Sequence, residues 1–190
     1  MNQKTRYKSA LINSLIVSFC LVVCAGSLWL FWVDLNTSSV RNDKNQIATI
    51  SFKYKIAQRK FMDRVVWERL QNDNPLYDGD TIRTSEGSSA TIAFDNGILV
   101  DVRENSMIQI AYTQEGLLKL NVSSDGSDIQ IDTTAATESV SIQMASGVSV
   151  DVESGSKLIA KNDETGDAPS LQVLAGNAQV QSETGEKATV

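Results

Sequence analysis

The chemistry open to this chain rests on carboxylates. Histidine is absent from all 190 residues, and both cysteines, Cys20 and Cys24, lie in one apolar run. Without histidine the usual general base near neutral pH is missing, and with it go Cys/His nucleophile pairs and ordinary zinc sites. Two close carboxylate pairs remain, Asp78 with Asp80 and Asp125 with Asp128. Paired carboxylates can drive glycoside hydrolysis, but these four sit in turn-like segments, where aspartate is favoured for backbone reasons. The run Asp125 to Asp128 also offers too few oxygen ligands for a calcium loop; weak calcium binding stays open. No phosphate-binding glycine loop and no nucleophile elbow occurs. No catalytic, cofactor-binding or metal site is expected, and the chain reads as a non-enzyme.

The elements that would carry any function begin with the run Ala10 to Val33, which holds no charge. As a helix it is long enough to cross a bilayer. Lys4, Arg6 and Lys8 precede it, and positive flanks stay on the cytoplasmic side, so the chain beyond Val33 is expected outside the cytoplasm. A cleaved signal peptide would have a shorter apolar region and a small-residue cleavage site. Cutting near Val23, Cys24 and Ala25 would expose a greasy stub ending Trp29, Leu30, Phe31, Trp32, Val33. A lipoprotein signal needs small residues before its cysteine, and Val22 and Val23 stand there. An uncleaved anchor is the preferred form, with Trp29, Phe31 and Trp32 suited to an interfacial aromatic belt. Cys20 and Cys24 fall on one helix face; they suit either a close helix–helix contact or, as the plainer alternative, lipid-facing positions.

Charge divides the remainder. Residues 34–69 carry eight basic and four acidic side chains; residues 70–190 carry six basic and nineteen acidic, a net of 6 − 19 = −13. An acidic domain repels nucleic acid, whose binding depends on phosphate neutralisation, so no nucleic-acid partner is expected. The basic group Lys53, Lys55, Arg59, Lys60, Arg64 and Arg69 could meet an anionic lipid surface or an acidic partner, or be an ordinary solvated face.

The organisation reads as a cytoplasmic stub (1–9), a transmembrane helix (10–33), a polar linker (34–46) and a β domain (47–190). The linker as a flexible coil would span roughly 20 Å. Ile50, Phe52, Tyr54 and Ile56 alternate with polar residues at the period of two that predicts a half-buried strand, whereas 57–70 fits neither period. From Ala90, Ile92 and Phe94 to Ala178 and Val180, inward positions alternate between turns such as Asp95 to Gly97, Asp125–Gly126, Ser146–Gly147 and Gly166–Asp167. Many short strands predict an all-β domain. Residues Gly97 to Ser106 also echo Gly147 to Ser156 fifty positions later, and Gly116 with Leu120 matches Gly176 with Val180 at sixty. Ten extra residues are then expected within Asn162 to Pro169. Such repetition predicts a short β-solenoid or a layered antiparallel β domain.

The stretch Trp67 to Thr84 resembles the signature of FecR-type domains: a tryptophan, apolar residues after it, then Gly79, Asp80, Thr81, Ile82, Arg83 and Thr84. Ser88 to Ile92, Phe94 to Gly97 and Glu104 to Ile110 also fit that family, and the resemblance covers roughly residues 47–131. Physically, Asp78 to Asp80 forms a turn before a strand, Arg83 is expected to pair with Asp80 across it, and Trp67, Leu70 and Leu76 anchor the segment. The motif is structural, not catalytic. The resemblance implies a periplasmic domain on an inner-membrane protein. The family's namesake senses an outer-membrane transporter and controls a sigma factor through a cytoplasmic domain. Here residues 1–9 are too few to fold or to hold a sigma factor, so direct anti-sigma action is not expected.

The expected function is protein–protein recognition or assembly in the cell envelope, with envelope proteins as partners, strand addition as the mode, and homo-oligomerisation open. Envelope signalling related to FecR-type regulation is the alternative. Cell-wall polysaccharide binding ranks lower, because Trp67 is the one tryptophan beyond the apolar run.

Overall fold

The structure, a computed structural model, describes residues 3–37, 45–123, 126–144, 147–162, 169–181 and 187–189, with side chains described for 12–33 of the first segment and none of the last. Residues 38–44 of the expected linker, Asp125, Ser146, and 163–168, with the expected Gly166–Asp167 turn, lie outside the described residues. The chain divides into two compact units, Met1–Arg41 and Asn42–Val190.

The first unit is one helix, α1 (Gln3–Thr37). It continues past both ends of the apolar run, so parts of the expected stub and linker are helical. Within it Ile12–Val33 spans 22 residues, none of them buried, about 33 Å at 1.5 Å per residue against a hydrocarbon core of about 30 Å. It is long and apolar enough to cross a membrane. Cys20 and Cys24 are free and exposed on it, and Ser27 settles its hydroxyl on the Val23 carbonyl at 2.9 Å.

The second unit is all β. Its strands are β1 (Gln46–Tyr54), β2 (Ala57–Lys60), β3 (Glu68–Arg69), β4 (Pro75–Tyr77), β5 (Thr81–Thr84), β6 (Ser89–Phe94), β7 (Leu99–Val102) and β8 (Met107–Tyr112). Next come β9 (Leu118–Val122), β10 (Asp128–Asp132), β11 (Val140–Gln143), β12 (Ser149–Val152), β13 (Lys157–Lys161), β14 (Ser170–Ala175), β15 (Ala178–Gln181) and β16 (Lys187–Thr189). They form a seven-stranded sheet, β14-β13-β10-β7-β6-β1-β4, and a nine-stranded sheet, β16-β15-β12-β11-β9-β8-β5-β2-β3. Pairing is antiparallel throughout except where β9 meets β11 in parallel. Alternation of buried and half-buried residues runs along strands of both sheets, and the buried ones, among them Ile92, Val100, Ile108, Leu120, Ile142 and Val150, form one cluster. The sheets are therefore two open layers sharing a core, the layered antiparallel domain of the two expected forms.

From β6 onward the chain lays hairpins on alternate layers: β6–β7 on the smaller sheet, β8–β9 on the larger, β10 back, β11–β12 across, β13–β14 back, and β15 across again. The fifty-residue echo maps onto this winding. Gly97 (φ 87°) and Gly147 (φ 79°) turn hairpins β6–β7 and β11–β12, with the amide of Phe94 bonded to Ile98 and that of Met144 to Val148, both at 2.9 Å. The two copies lie on opposite sheets. The expected match of Gly116 to Gly176 at sixty does not hold. Gly116 turns a hairpin within one sheet, whereas Gly176 (φ 78°) carries the chain from one sheet to the other. Its counterpart is Gly126 (φ 75°), fifty residues earlier, at the β9 to β10 crossing. The β13–β14 loop is longer than the β8–β9 loop, but a shorter crossing offsets it, so the period stays at fifty.

One inward assignment is overturned. Ile50 faces Ile92, but Phe52 faces Thr91, because a bulge at Ser51 interrupts the register. An extra residue flips the rest of the strand to the other face. Phe52, Tyr54 and Ile56 are consequently exposed, by 53%, 55% and 39%.

Candidate functional site

The motif residues gather at the β2–β5 end of the larger sheet. Strand β2 alternates as expected of a half-buried strand, which points Ala57 and Arg59 inward. Arg59 is 1% exposed. It donates to the Pro75 carbonyl at 2.5 Å and to Glu68 at 3.3 Å, lies 3.9 Å from Asp80, and stacks 4.0 Å over the Phe61 ring. A buried charge needs such compensation, since desolvation costs several kcal/mol per ion. Asp80, also 1% exposed, accepts the Tyr77 amide at 3.0 Å. The expected pairing of Asp80 with Arg83 is replaced. Successive residues of β5 face opposite sides of the sheet, so Arg83 points outward, stacks 4.1 Å over Trp67 and bonds Gln58 at 2.9 Å.

The other motif residues occupy turn, core and strand positions. Gly79 sits at φ 86° beside Met62, whose Sδ would lie 2.7 Å from an added Cβ. Ile82 is fully buried, and Thr84 is buried and polar. Thr81 lies opposite Gln109 and Lys60 across its two neighbouring strands. Leu70 and Leu76 are core, while Trp67 is half-buried beneath its cations. Of the carboxylates singled out in pairs, Asp78 accepts the Tyr112 amide at 2.9 Å and Asp128 meets Arg103 at 3.3 Å and Lys161 at 2.8 Å. Among the described residues no three His, Cys, Asp or Glu side chains gather as metal ligands.

A set of buried hydroxyls escaped the sequence reading. Ser106 accepts the Asp128 amide at 2.9 Å and donates to its carbonyl at 3.2 Å, while Thr84 bonds the Arg103 carbonyl. One repeat later Ser156 accepts from and donates to Asn177, each at 3.0 Å, and Thr133 bonds the Glu153 carbonyl at 2.7 Å. These clasps close the crossings at opposite ends of β10. The one available signal was a serine preceding a strand at Ser106 and again at Ser156.

Two surfaces remain uncommitted. The β2–β3 loop exposes Met62 by 70%, Val65 by 90% and Val66 by 64%. At the far end of the smaller sheet, the outer edge of β14 pairs with no strand among the described residues. Three of the four sheet ends are blunted by length or composition: β3 has two residues, Glu68 and Arg69, β4 begins with Pro75, and β16 begins with Lys187. Strand β14 carries a register irregularity at Leu174, between Val173 opposite Leu158 and Ala175 opposite Lys157. Strand β14, Ser170–Ala175, has six residues with neither charge nor proline, and Leu174 is 47% exposed.

No protein-family model matches the chain. A protein of Treponema pallidum (strain Nichols), described as uncharacterized, is 36% identical over 78 residues, which make up 41% of this chain and 11% of that protein. The match thus spans about a tenth of that relative's length. No solved structure matches.

Proposed function

We propose that this chain is a membrane-anchored recognition module of the cell envelope, held by α1 in the inner membrane with its β domain in the periplasm, and that it binds protein partners rather than catalysing a reaction. The observation that carries this is the open edge of β14. An uncharged edge strand offers a row of backbone donors and acceptors that an extended segment of a partner can complete, with alternate side chains supplying selectivity. The motif carboxylates support a binding role, since each is already committed to a backbone amide or a cation. Crosslinking the tagged full-length protein in its native cells, then identifying what co-purifies, tests it. A fixed set of envelope proteins is expected; wall fragments alone would overturn it.

Envelope signalling related to FecR-type regulation is the second reading. It rests on the resemblance of Trp67 to Thr84, and on that segment's place at the β2–β5 end, where Trp67 and Arg83 form a cationic aromatic platform. Altered transcriptional output on changing residues 1–10 would favour it.

A further inference from the structure

We propose that the β2–β3 loop is a second membrane contact, inserting Val65 and Val66 into the headgroup region of an anionic phospholipid bilayer. The inference rests on the reading of α1 as a membrane anchor.

Three observations converge on the loop. First, its apolar residues are turned outward although the segment is fixed at both ends. Phe61 and Leu70 are each 1% exposed, while Val65 and Val66 between them are exposed by 90% and 64%. Adjacent aliphatic side chains held in water gain nothing from the fold, and burying them elsewhere would recover the hydrophobic term. Second, the rim around them is cationic within an otherwise acidic domain. Lys60, Arg64 and Arg69 lie in or beside the loop and Arg83 is brought over Trp67, against Asp63 and Glu68, the latter paired with Arg64 at 3.3 Å. Residues 70–190 without Arg83 carry a net of 5 − 19 = −14. Arg83 and Lys60 lie over the Trp67 ring at 4.1 and 5.5 Å. An amphipathic ring under cations suits the interfacial zone, and each cation near an anionic surface adds attraction. Third, a bilayer is within reach. From Thr37 to Gln46 the chain advances nine residues, at most about 32 Å of fully extended backbone. A tether that short keeps the domain at high effective concentration over the surface, so a weak contact suffices.

A protein partner would also cover the valines. The cationic rim favours lipid, because the surface that a tethered domain meets most often is the bilayer itself. The valines are too few to anchor a soluble protein alone, as a single apolar insertion needs a second signal for stable binding. Here α1 is that signal.

The test uses the full chain with Cys20 and Cys24 replaced by alanine and one new cysteine carrying an environment-sensitive fluorophore. The label is placed at Val65 (V65C) or at Ser154 (S154C), an exposed site at the β12–β13 crossing. Between β12 and β2 the sheet steps through five strand spacings, about 24 Å. The protein is reconstituted into phosphatidylcholine vesicles with or without phosphatidylglycerol, and with doxyl-labelled lipid as quencher. The expected result is a blue shift and at least twofold quenching at position 65 in the anionic vesicles, absent at 154 and reversed by adding K60E and R64E. A label at 65 as wet as that at 154 overturns the inference while leaving the anchor intact. A dry label that doxyl lipid does not quench identifies a protein contact, such as a second copy, and also overturns it. A chain that fails to float with the vesicles brings down the anchor and the inference together.

Discussion

The Ser156 hydroxyl accepts the Asn177 amide proton and donates to the Asn177 carbonyl, each at 3.0 Å. One repeat earlier Ser106 does the same to Asp128. Both hydroxyls are buried, with Ser156 1% exposed and Ser106 not at all, so each closes a crossing between layers where backbone groups would otherwise be stranded. Replacing either serine by alanine removes both bonds at a part-buried crossing, at about 0.5–1.5 kcal/mol for a typical hydrogen bond. The two sites lie at opposite ends of β10 and share no partner, so S106A and S156A are expected to add within about 0.5 kcal/mol. Urea-dependent proteolysis of the full chain reads both values.

Arg59 carries the largest single effect expected. Its loss would leave Asp80 and Glu68 buried or half-buried beside an emptied site. Removing one partner of a buried ion pair costs about 3–5 kcal/mol. R59A is therefore expected to be near the limit of folding, and R59K to recover only part, since an ammonium cannot reach the Pro75 carbonyl and Glu68 while stacking on Phe61. The midpoint shift in the same proteolysis assay checks this order.

Gly176 stands at φ 78°, and an added Cβ would lie 2.6 Å from the Ser156 Cα. G176A meets both the left-handed backbone penalty and a backbone clash, so it is expected to destabilise by more than about 1 kcal/mol. Gly116 has a similar φ of 81° with nothing within 4 Å of an added Cβ. G116A should cost only the backbone part, about 1 kcal/mol. Equal losses for the two would contradict the close approach.

Acid dependence stems from Asp132. Its hydrogen bonds from Lys157 and Thr134 lower its pKa from 3.8 to about 2. A depressed carboxylate contributes stability that is fully present above its unfolded pKa and is lost as pH falls through the folded value. The window is therefore about pH 4 down to about 2. Solvent reaches this pair, so the contribution is about 1 kcal/mol or less. D132N should be less stable than the parent by a constant amount from about pH 5 to 8, and that gap should close below about pH 4.

The alternation of Ile92, Val100, Ile108, Leu120 and Ile142 made the core legible in the sequence, because a two-layer sheet obeys the period of two with few exceptions. Phe52 and Tyr54 defeat that rule, since the bulge at Ser51 costs one residue of register and leaves no mark in composition. Arg59 was hidden for a different reason: a charged residue in a strand reads as solvated until its partners Asp80 and Glu68, distant in sequence, are brought to it. Leu158 and Ala160 are core as well, but between lysines 157 and 161 they make too short an alternation to stand out. The fifty-residue period was visible at Gly97 and Gly147, and its continuation at Gly176 was misaligned because two loops change length in opposite senses. Which edge is open depends on which strand ends a sheet, and no local pattern encodes sheet order. That left the surface at β14 illegible until the topology was known.

The open β14 edge is expected to receive a partner. A photo-activated crosslinker placed at Leu174 in the full-length protein, in its native cells, tests it most directly, with Asp101 on the doubly paired strand β7 as the control. One discrete adduct is expected from position 174, none from 101, and loss of the adduct when V173P is added on the same strand. Equal adducts from both positions, or an adduct at 174 that survives V173P, would contradict it.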